Sequence, residues 1–144
     1  MTEMTYDVVV VGGGPAGATA AHELARRGRS VLLLDRAWRV KPCGGAVPPQ
    51  LLTDFEVPES VLVARINEAR MISPKGKNVD IPVGEGFVGM VDRDVYDEWL
   101  RTRAASAGAV RRTGAFVRRE HDADGVARVV YTDGRSRHGE ERSV

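Results

Sequence analysis

The chain has 144 residues, enough for one domain around a single hydrophobic core. Its 21 basic and 20 acidic residues nearly cancel to a formal net charge of +1, so the overall charge does not favour a nucleic-acid partner. The single cysteine excludes an internal disulfide framework and is typical of a reducing compartment, and no apolar run approaches the ~18 residues that span a bilayer.

The first predicted elements form a βαβ unit. Residues 6–11 are rich in valine and predict a strand that is buried on both faces of a parallel sheet. Residues 15–27 predict a helix with small residues on the side that faces the sheet, and residues 30–34 predict a second apolar strand. The order strand, helix, strand indicates an α/β protein.

A glycine-rich turn with the spacing Gly-x-Gly-x-x-Gly joins the first strand to the helix. Gly12 permits the tight turn, Gly14 lets a diphosphate approach the backbone, and Gly17 lets the helix pack closely on the sheet. Pro15 suits the first helical turn, whose remaining N–H groups and positive dipole end attract phosphates. Asp35 ends the second strand, where a carboxylate accepts hydrogen bonds from a ribose. These features predict a dinucleotide site.

The remaining elements follow in chain order. The sequence predicts a long loop at 36–50, a short helix at 49–54, a hairpin from 66–72 and 78–83, a strand at 87–91, a helix at 93–107, and strands at 109–112, 115–121 and 126–132. We expect a three-stranded parallel piece built from the strands near residues 6, 30 and 109, and a small antiparallel sheet.

Cys43 is the only thiol, and it lies in the long loop directly before Gly44 and Gly45. Two interpretations remain open. The cysteine fills a gap as a small apolar residue, or the paired glycines let a flat ring approach the loop. No nearby base is evident that would activate a thiolate.

Arg93 begins the second long helix, where a positive charge opposes the helix dipole by ~0.3–1 kcal/mol. An anionic ligand group nearby would reverse the sign of that effect. Pairing with Asp92, Asp94 or Asp97 explains the residue equally well. The histidines lack metal-ligand spacing, so we expect no metal site.

Several stretches together carry a family resemblance. Beyond the glycine turn that ends in Asp35-Arg36, they are Lys-Pro-Cys-Gly-Gly-Ala at 41–46, Met-Ile-Ser-Pro at 71–74, and Met-Val-x-Arg-x-x-Tyr-Asp-x-x-Leu at 90–100. In this combination the chain resembles the geranylgeranyl reductase family of flavoproteins, especially the branch acting on geranylgeranyl diphosphate or geranylgeranylated (bacterio)chlorophyll. The resemblance covers residues 6 to about 132.

The resemblance implies a Rossmann-like FAD-binding βαβ domain of the glutathione-reductase-like and aromatic-hydroxylase-like fold, with attached antiparallel strands. It implies FAD as cofactor, NADPH as reductant and a prenylated small molecule as substrate. The implied reaction reduces isoprenoid C=C bonds, as in the conversion of geranylgeranyl to phytyl groups during chlorophyll biosynthesis in photosynthesis. The residues implied to bind FAD are Gly12, Gly14, Pro15, Ala16, Gly17, Asp35, Arg36, Gly44, Gly45 and Arg93.

Individual roles follow from the same resemblance. Asp35 would hold the adenosine ribose, Arg36 would flank the adenine, and Arg93 would reach the flavin side of the cofactor. Cys43 would lie near the isoalloxazine ring and the substrate entry, which makes it the candidate catalytic residue.

Family members are much longer than this chain. We therefore interpret residues 1–134 as a partial FAD-binding domain with an inserted β-hairpin, and residues 135–144 as a disordered tail. The chain reads as a fragment or a truncated gene product, and we expect it to bind FAD weakly or not at all in isolation, without turnover.

Three other functions compete with the reductase. They are a flavin monooxygenase of the same fold, an NAD-binding module without catalysis, and a non-functional remnant. We expect a cytoplasmic protein, because no signal peptide is evident at the N-terminus, and peripheral contact with a membrane is compatible with a prenylated substrate.

Overall fold

The structure is a computed structural model that describes residues 4–133 and 141–144. The chain divides into two compact units, one formed by residues 1–40 with 97–144 and the other by residues 41–96. The sequence predicts one domain with an inserted hairpin. In the structure the inserted unit is larger than a hairpin and contains strands of its own.

The helices are α1 (Pro15–Ala25), α2 (Pro49–Asp54) and α3 (Arg93–Ser106), with a 3₁₀ turn at Glu59–Val61. The strands are β1 (Val8–Val11), β2 (Val31–Asp35), β3 (Ala46–Val47), β4 (Leu62–Ile66), β5 (Glu68–Ile72), β6 (Asn78–Pro82), β7 (Val88–Val91), β8 (Val110–Thr113), β9 (Ala115–His121), β10 (Ala127–Thr132) and β11 (Glu141–Ser143).

A parallel sheet forms the centre of the first unit. Strand β2 lies between β1 and β8 and pairs with both in parallel, which confirms the predicted three-stranded piece. Leu32, Leu33 and Leu34 are fully buried, as expected for a middle strand. On α1, Ala18 and Ala21 are also fully buried, because small side chains allow close approach to a sheet.

Strands β9, β10 and β11 form an antiparallel sheet in the same unit. The predicted disordered tail covers residues 135–144, of which 135–140 lie outside the described residues. The structure differs from that prediction at Glu141–Ser143, which pair with β10. Arg118 on β9 contacts the Glu141 carboxylate at 2.8 Å, so an ion pair across the sheet joins the backbone bonds in holding a polar segment as a strand.

The second unit contains a sheet in the order β3–β7–β4 and a separate hairpin of β5 and β6. The sequence predicts one strand over 66–72, but the structure ends β4 at Ile66 and begins β5 at Glu68. The residue between them, Asn67, accepts a hydrogen bond from the Val83 N–H at 2.8 Å, so its backbone is used across the base of the hairpin. The chain thereby changes partner from β7 to β6.

Among residues 4–133 and 141–144, no helix is both long enough and apolar enough to cross a membrane.

Candidate functional site

The turn between β1 and α1 is a compact backbone structure. Gly12 has φ +105°, which side-chain-bearing residues rarely adopt, and its N–H donates to the Leu34 carbonyl at 2.8 Å. A Cβ atom added at Gly17 would lie 1.8 Å from the Gly12 carbonyl oxygen. The third glycine is therefore required by the fold itself, because the helix begins directly against the turn.

The other side of the turn is open. Added Cβ atoms at Gly12 and Gly14 would meet nothing within 4 Å. Pro15 occupies the first position of α1, and the Gly14 carbonyl accepts the Ala18 N–H at 2.9 Å. The N–H groups of Ala16 and Gly17, which precede Ala18 in the first turn, have no acceptor within the helix and are available to a ligand. The turn thus offers an open backbone surface at the positive end of a helix.

Asp35 faces this turn. One carboxylate oxygen accepts the Gly13 N–H at 2.7 Å, and the other accepts the N–H groups of Ala37 at 2.9 Å and Trp38 at 2.6 Å. Burial acts to raise the pKa of Asp35, but these three donors and the charge of Arg101 outweigh it, so the pKa is lowered. A carboxylate has about four acceptor positions, which leaves about one for a ligand hydroxyl.

Two further residues complete this region, and neither is predicted from the sequence. The ring of Trp38 packs over Gly13, where an added Cβ would lie 2.5 Å from a ring carbon. Arg101 on α3 donates from Nε to the Gly13 carbonyl at 2.6 Å. The sequence signal for Arg101 is its spacing of four residues from Asp97, which lets the two opposite charges pair on one face of α3. Each directly follows a buried residue of the helix, Tyr96 or Leu100.

Three predicted site residues, Cys43, Gly44 and Gly45, lie next to one another in the second unit. Cys43 is exposed, so its interpretation as a gap-filling core residue is wrong, and its Sγ accepts the Gly45 N–H at 3.5 Å. Gly45 has φ +74°, and its added Cβ would lie 2.1 Å from the Val91 carbonyl oxygen. That glycine serves close packing against β7. Gly44 has open space where its Cβ would be.

Arg36 and Arg93 differ in burial. Arg36 is exposed directly after Asp35, whereas Arg93 is half-buried as the first residue of α3. No group of three or more His, Cys, Asp or Glu side chains in residues 4–133 and 141–144 is arranged to hold a metal ion.

The chain is similar in sequence to a known protein family and to a longer relative. The family described as FAD dependent oxidoreductase matches residues 7–46, which include the glycine turn and Asp35. Geranylgeranyl diphosphate reductase from Rhodobacter capsulatus is 62% identical over 130 residues, which are 90% of this chain and 33% of that protein. The chain therefore spans about a third of the length of this curated relative.

Solved structures agree on the fold. A geranylgeranyl bacteriochlorophyll reductase-like protein from Thermoplasma acidophilum superposes with a TM-score of 0.74 at 25% identity, covering 91% of this chain and 36% of that one. A flavin-dependent brominase superposes with a TM-score of 0.77 at 24% identity, covering 96% of this chain and 35% of that one. At that identity the brominase shows the fold alone. The predicted α/β FAD-dependent oxidoreductase fold is confirmed.

Proposed function

We propose that this chain, whose predicted resemblance to geranylgeranyl reductases is confirmed, is the FAD-binding part of a reductase of isoprenoid C=C bonds. One observation carries the proposal. The chain is 62% identical to a geranylgeranyl diphosphate reductase and places an open glycine turn beside the Asp35 carboxylate. NADPH is proposed as the reductant.

The residues of the first unit fit the adenosine diphosphate portion of FAD. The absent Cβ atoms of Gly12 and Gly14 leave room for a diphosphate, and the first-turn N–H groups of α1, including those of Ala16 and Gly17, would donate to its oxygens. The remaining acceptor position of Asp35 would take a ribose hydroxyl. Arg36, exposed beside it, would flank the adenine.

Bound FAD would supply hydride-transfer chemistry for alkene reduction, with NADPH as the proposed reductant. The role of this part of the chain is to bind and orient that cofactor. From the family resemblance, Gly44, Gly45 and Arg93 are proposed to serve the flavin side, and Cys43 the substrate entry. The exposure of Cys43 is compatible with that role.

The proposed substrate carries a geranylgeranyl group, either as the diphosphate or attached to a (bacterio)chlorophyll. A protein at the cytoplasmic surface of a membrane would reach such a lipid-like substrate by peripheral contact. A flavin monooxygenase is the weaker candidate, because the flavin-dependent brominase shares only the fold at 24% identity, against 62% for the reductase.

The cofactor proposal is tested by titrating the ¹⁵N-labelled chain with FAD and, separately, with ADP. Amide NMR shifts detect weak binding and report its position. We expect both ligands to move the resonances of Gly12, Gly14 and Gly17. Shifts confined to other residues would refute the proposed cofactor site, and so would a folded chimaera of this chain with the longer Rhodobacter capsulatus relative that binds no FAD.

The reaction is tested in a chimaera. This chain replaces the matching segment of the Rhodobacter capsulatus relative, and the purified chimaera is given NADPH and geranylgeranyl diphosphate. We expect a saturated prenyl product detectable by mass spectrometry. A folded chimaera that binds FAD but leaves the substrate unreduced would contradict the proposed reaction while leaving the cofactor site standing.

A further inference from the structure

Arg101 lies on α3 and is only 3% exposed. Its Nε donates to the Gly13 carbonyl at 2.6 Å, and its Nη1 donates to the Trp38 carbonyl at 3.4 Å. These two acceptors belong to different segments of the first unit, the glycine turn and the loop after β2. One guanidinium group therefore joins both segments to α3.

The surroundings of this guanidinium hold it in place. The Asp97 carboxylate lies 3.9 Å away and the Glu98 carboxylate 3.5 Å away, and the ring of Trp38 lies 5.4 Å from the guanidinium carbon. The carboxylates balance a charge that would otherwise be costly to bury. The cation–π contact favours a guanidinium in this orientation over the Trp38 ring.

The distances separate two roles for Arg101. A residue that served only to pair with its own helix would make its shortest contacts to Asp97 and Glu98. The contact to the Gly13 carbonyl, at 2.6 Å, is much shorter than either of these. Charge-assisted hydrogen bonds of this length are among the strong ones in proteins. The main partner of Arg101 is therefore the glycine turn.

We propose that Arg101 is a positioning residue that preforms the glycine turn for a diphosphate, an inference that rests on the proposed cofactor site. Asp35 holds Gly13 through its N–H, and Arg101 holds the same residue through its carbonyl. With both groups anchored, the adjacent Gly12 and Gly14 present their open side without first having to become ordered. Binding then avoids the entropic cost of ordering the turn.

The first test compares the wild type with Arg101→Lys. Lysine keeps the positive charge near the two carboxylates, so the variant is expected to fold, but a single ammonium group cannot reproduce the planar fork of donors. The matched control is Leu100→Val at the neighbouring buried position of α3, where the apolar side chain donates no hydrogen bond to the turn. Thermal unfolding of all three proteins reports their stabilities.

The decisive measurement uses no ligand. ¹⁵N relaxation order parameters of Gly12, Gly13 and Gly14 report their motion on the ps–ns timescale. We expect these values to fall in Arg101→Lys and to stay at the wild-type level in Leu100→Val. Unchanged values in a folded Arg101→Lys protein would overturn the positioning role, whatever the outcome with FAD.

The second measurement is FAD affinity by NMR titration. Loss of a charge-assisted contact predicts a dissociation constant raised about tenfold in Arg101→Lys, and a change below about twofold in Leu100→Val. Equal losses in the two variants would assign the effect to stability and reject the proposal. Should the isolated wild type bind no FAD, the order parameters alone still decide the role of Arg101.

Discussion

Two glycine-rich segments of this protein invite comparison, the turn at residues 12–17 and the loop at residues 43–45. Each contains one glycine whose added Cβ would collide with a backbone carbonyl oxygen. An added Cβ would lie 1.8 Å from a carbonyl oxygen at Gly17 and 2.1 Å from one at Gly45. Each also contains glycines whose added Cβ would meet nothing, Gly12 and Gly14 in the turn and Gly44 in the loop.

The segments differ in what surrounds their open glycines. The turn opens at the N-terminus of α1 with the Asp35 carboxylate bound to Gly13, whereas Gly44 follows an exposed thiol in a loop without regular structure. Glycine content alone therefore does not indicate a ligand site. In the turn, a helix terminus and a fixed charge beside the open backbone support the proposed cofactor site, whereas the proposed flavin-side role of Gly44 and Gly45 rests on the family resemblance.

The difference between packed and open glycines is tested most directly by adding a methyl group at Gly17 and, separately, at Gly14. Gly17→Ala should destabilise the protein by about 3 kcal/mol or more, because its Cβ would meet backbone atoms. Gly14→Ala should change the unfolding free energy by less than about 0.5 kcal/mol, because its φ of −76° suits alanine and its Cβ would meet nothing. Chemical denaturation measures both.

Gly14→Ala should nevertheless weaken FAD binding, because the added methyl group projects from the open side of the turn. An unchanged FAD affinity in this stable variant would show that the diphosphate does not approach residue 14. Equal stability losses at Gly14 and Gly17 would contradict the division between open and packed glycines.

The equivalent pair in the loop should show a smaller contrast. Gly45→Ala should cost about 2 kcal/mol, since its φ of +74° and the Val91 carbonyl both disfavour a side chain. Gly44→Ala should be neutral within about 0.5 kcal/mol. Thermal unfolding tests both, and a strongly destabilised Gly44→Ala protein would show that the loop is more tightly packed than described.

Asp35→Asn should destabilise the fold by about 1–2 kcal/mol. The three backbone N–H donors now bind two carboxylate oxygens, whereas an amide offers only one oxygen as acceptor. The pKa of Asp35 is lowered on folding, so its stabilisation is complete above the ordinary value of 3.8 and is lost as the pH falls below it towards the folded pKa. The unfolding free energies of the wild type and of Asp35→Asn should therefore converge as the pH falls across this range. A constant difference between the two unfolding free energies across this pH range would contradict the lowered pKa of Asp35.

The smallest effect is expected at Cys43. Because the thiol is exposed, Cys43→Ala should leave the unfolding free energy within about 0.5 kcal/mol of the wild type. In the chimaera with the Rhodobacter capsulatus relative, the same substitution should lower the rate of prenyl reduction if the thiol serves the substrate. An unchanged rate would remove Cys43 from the proposed site.

The sequence was sufficient for the central sheet and the glycine turn, because local rules agree there. An apolar strand, a glycine spacing, a proline at the start of α1 and a terminal acid all predict one βαβ unit, and β1, α1 and β2 follow it. The helix at Pro49–Asp54 and the strand at Ala115–His121 were predicted with their observed bounds.

Other features depend on contacts between distant parts of the chain. Strand β3 has two residues, too few for any periodicity, and exists because it pairs with β7. Strand β11 is polar and is held through β10 and Arg118. Arg101 lies 88 positions from Gly13, so no local pattern connects them. The sequence predicts roles for the open glycines and Asp35, whereas the contacts of Trp38 and Arg101 with Gly13 are evident only in the structure.

The double attachment of Gly13 has a consequence for backbone torsion. Its N–H and its carbonyl belong to two consecutive peptide planes, one anchored by Asp35 and the other by Arg101. Rotation about either bond flanking its Cα would break one of these anchors. Glycine has the greatest backbone freedom of all residue types, yet here the charged side chains of Asp35 on β2 and Arg101 on α3 confine it. Neighbouring side chains thus supply the rigidity that Gly13 lacks because it has no side chain of its own.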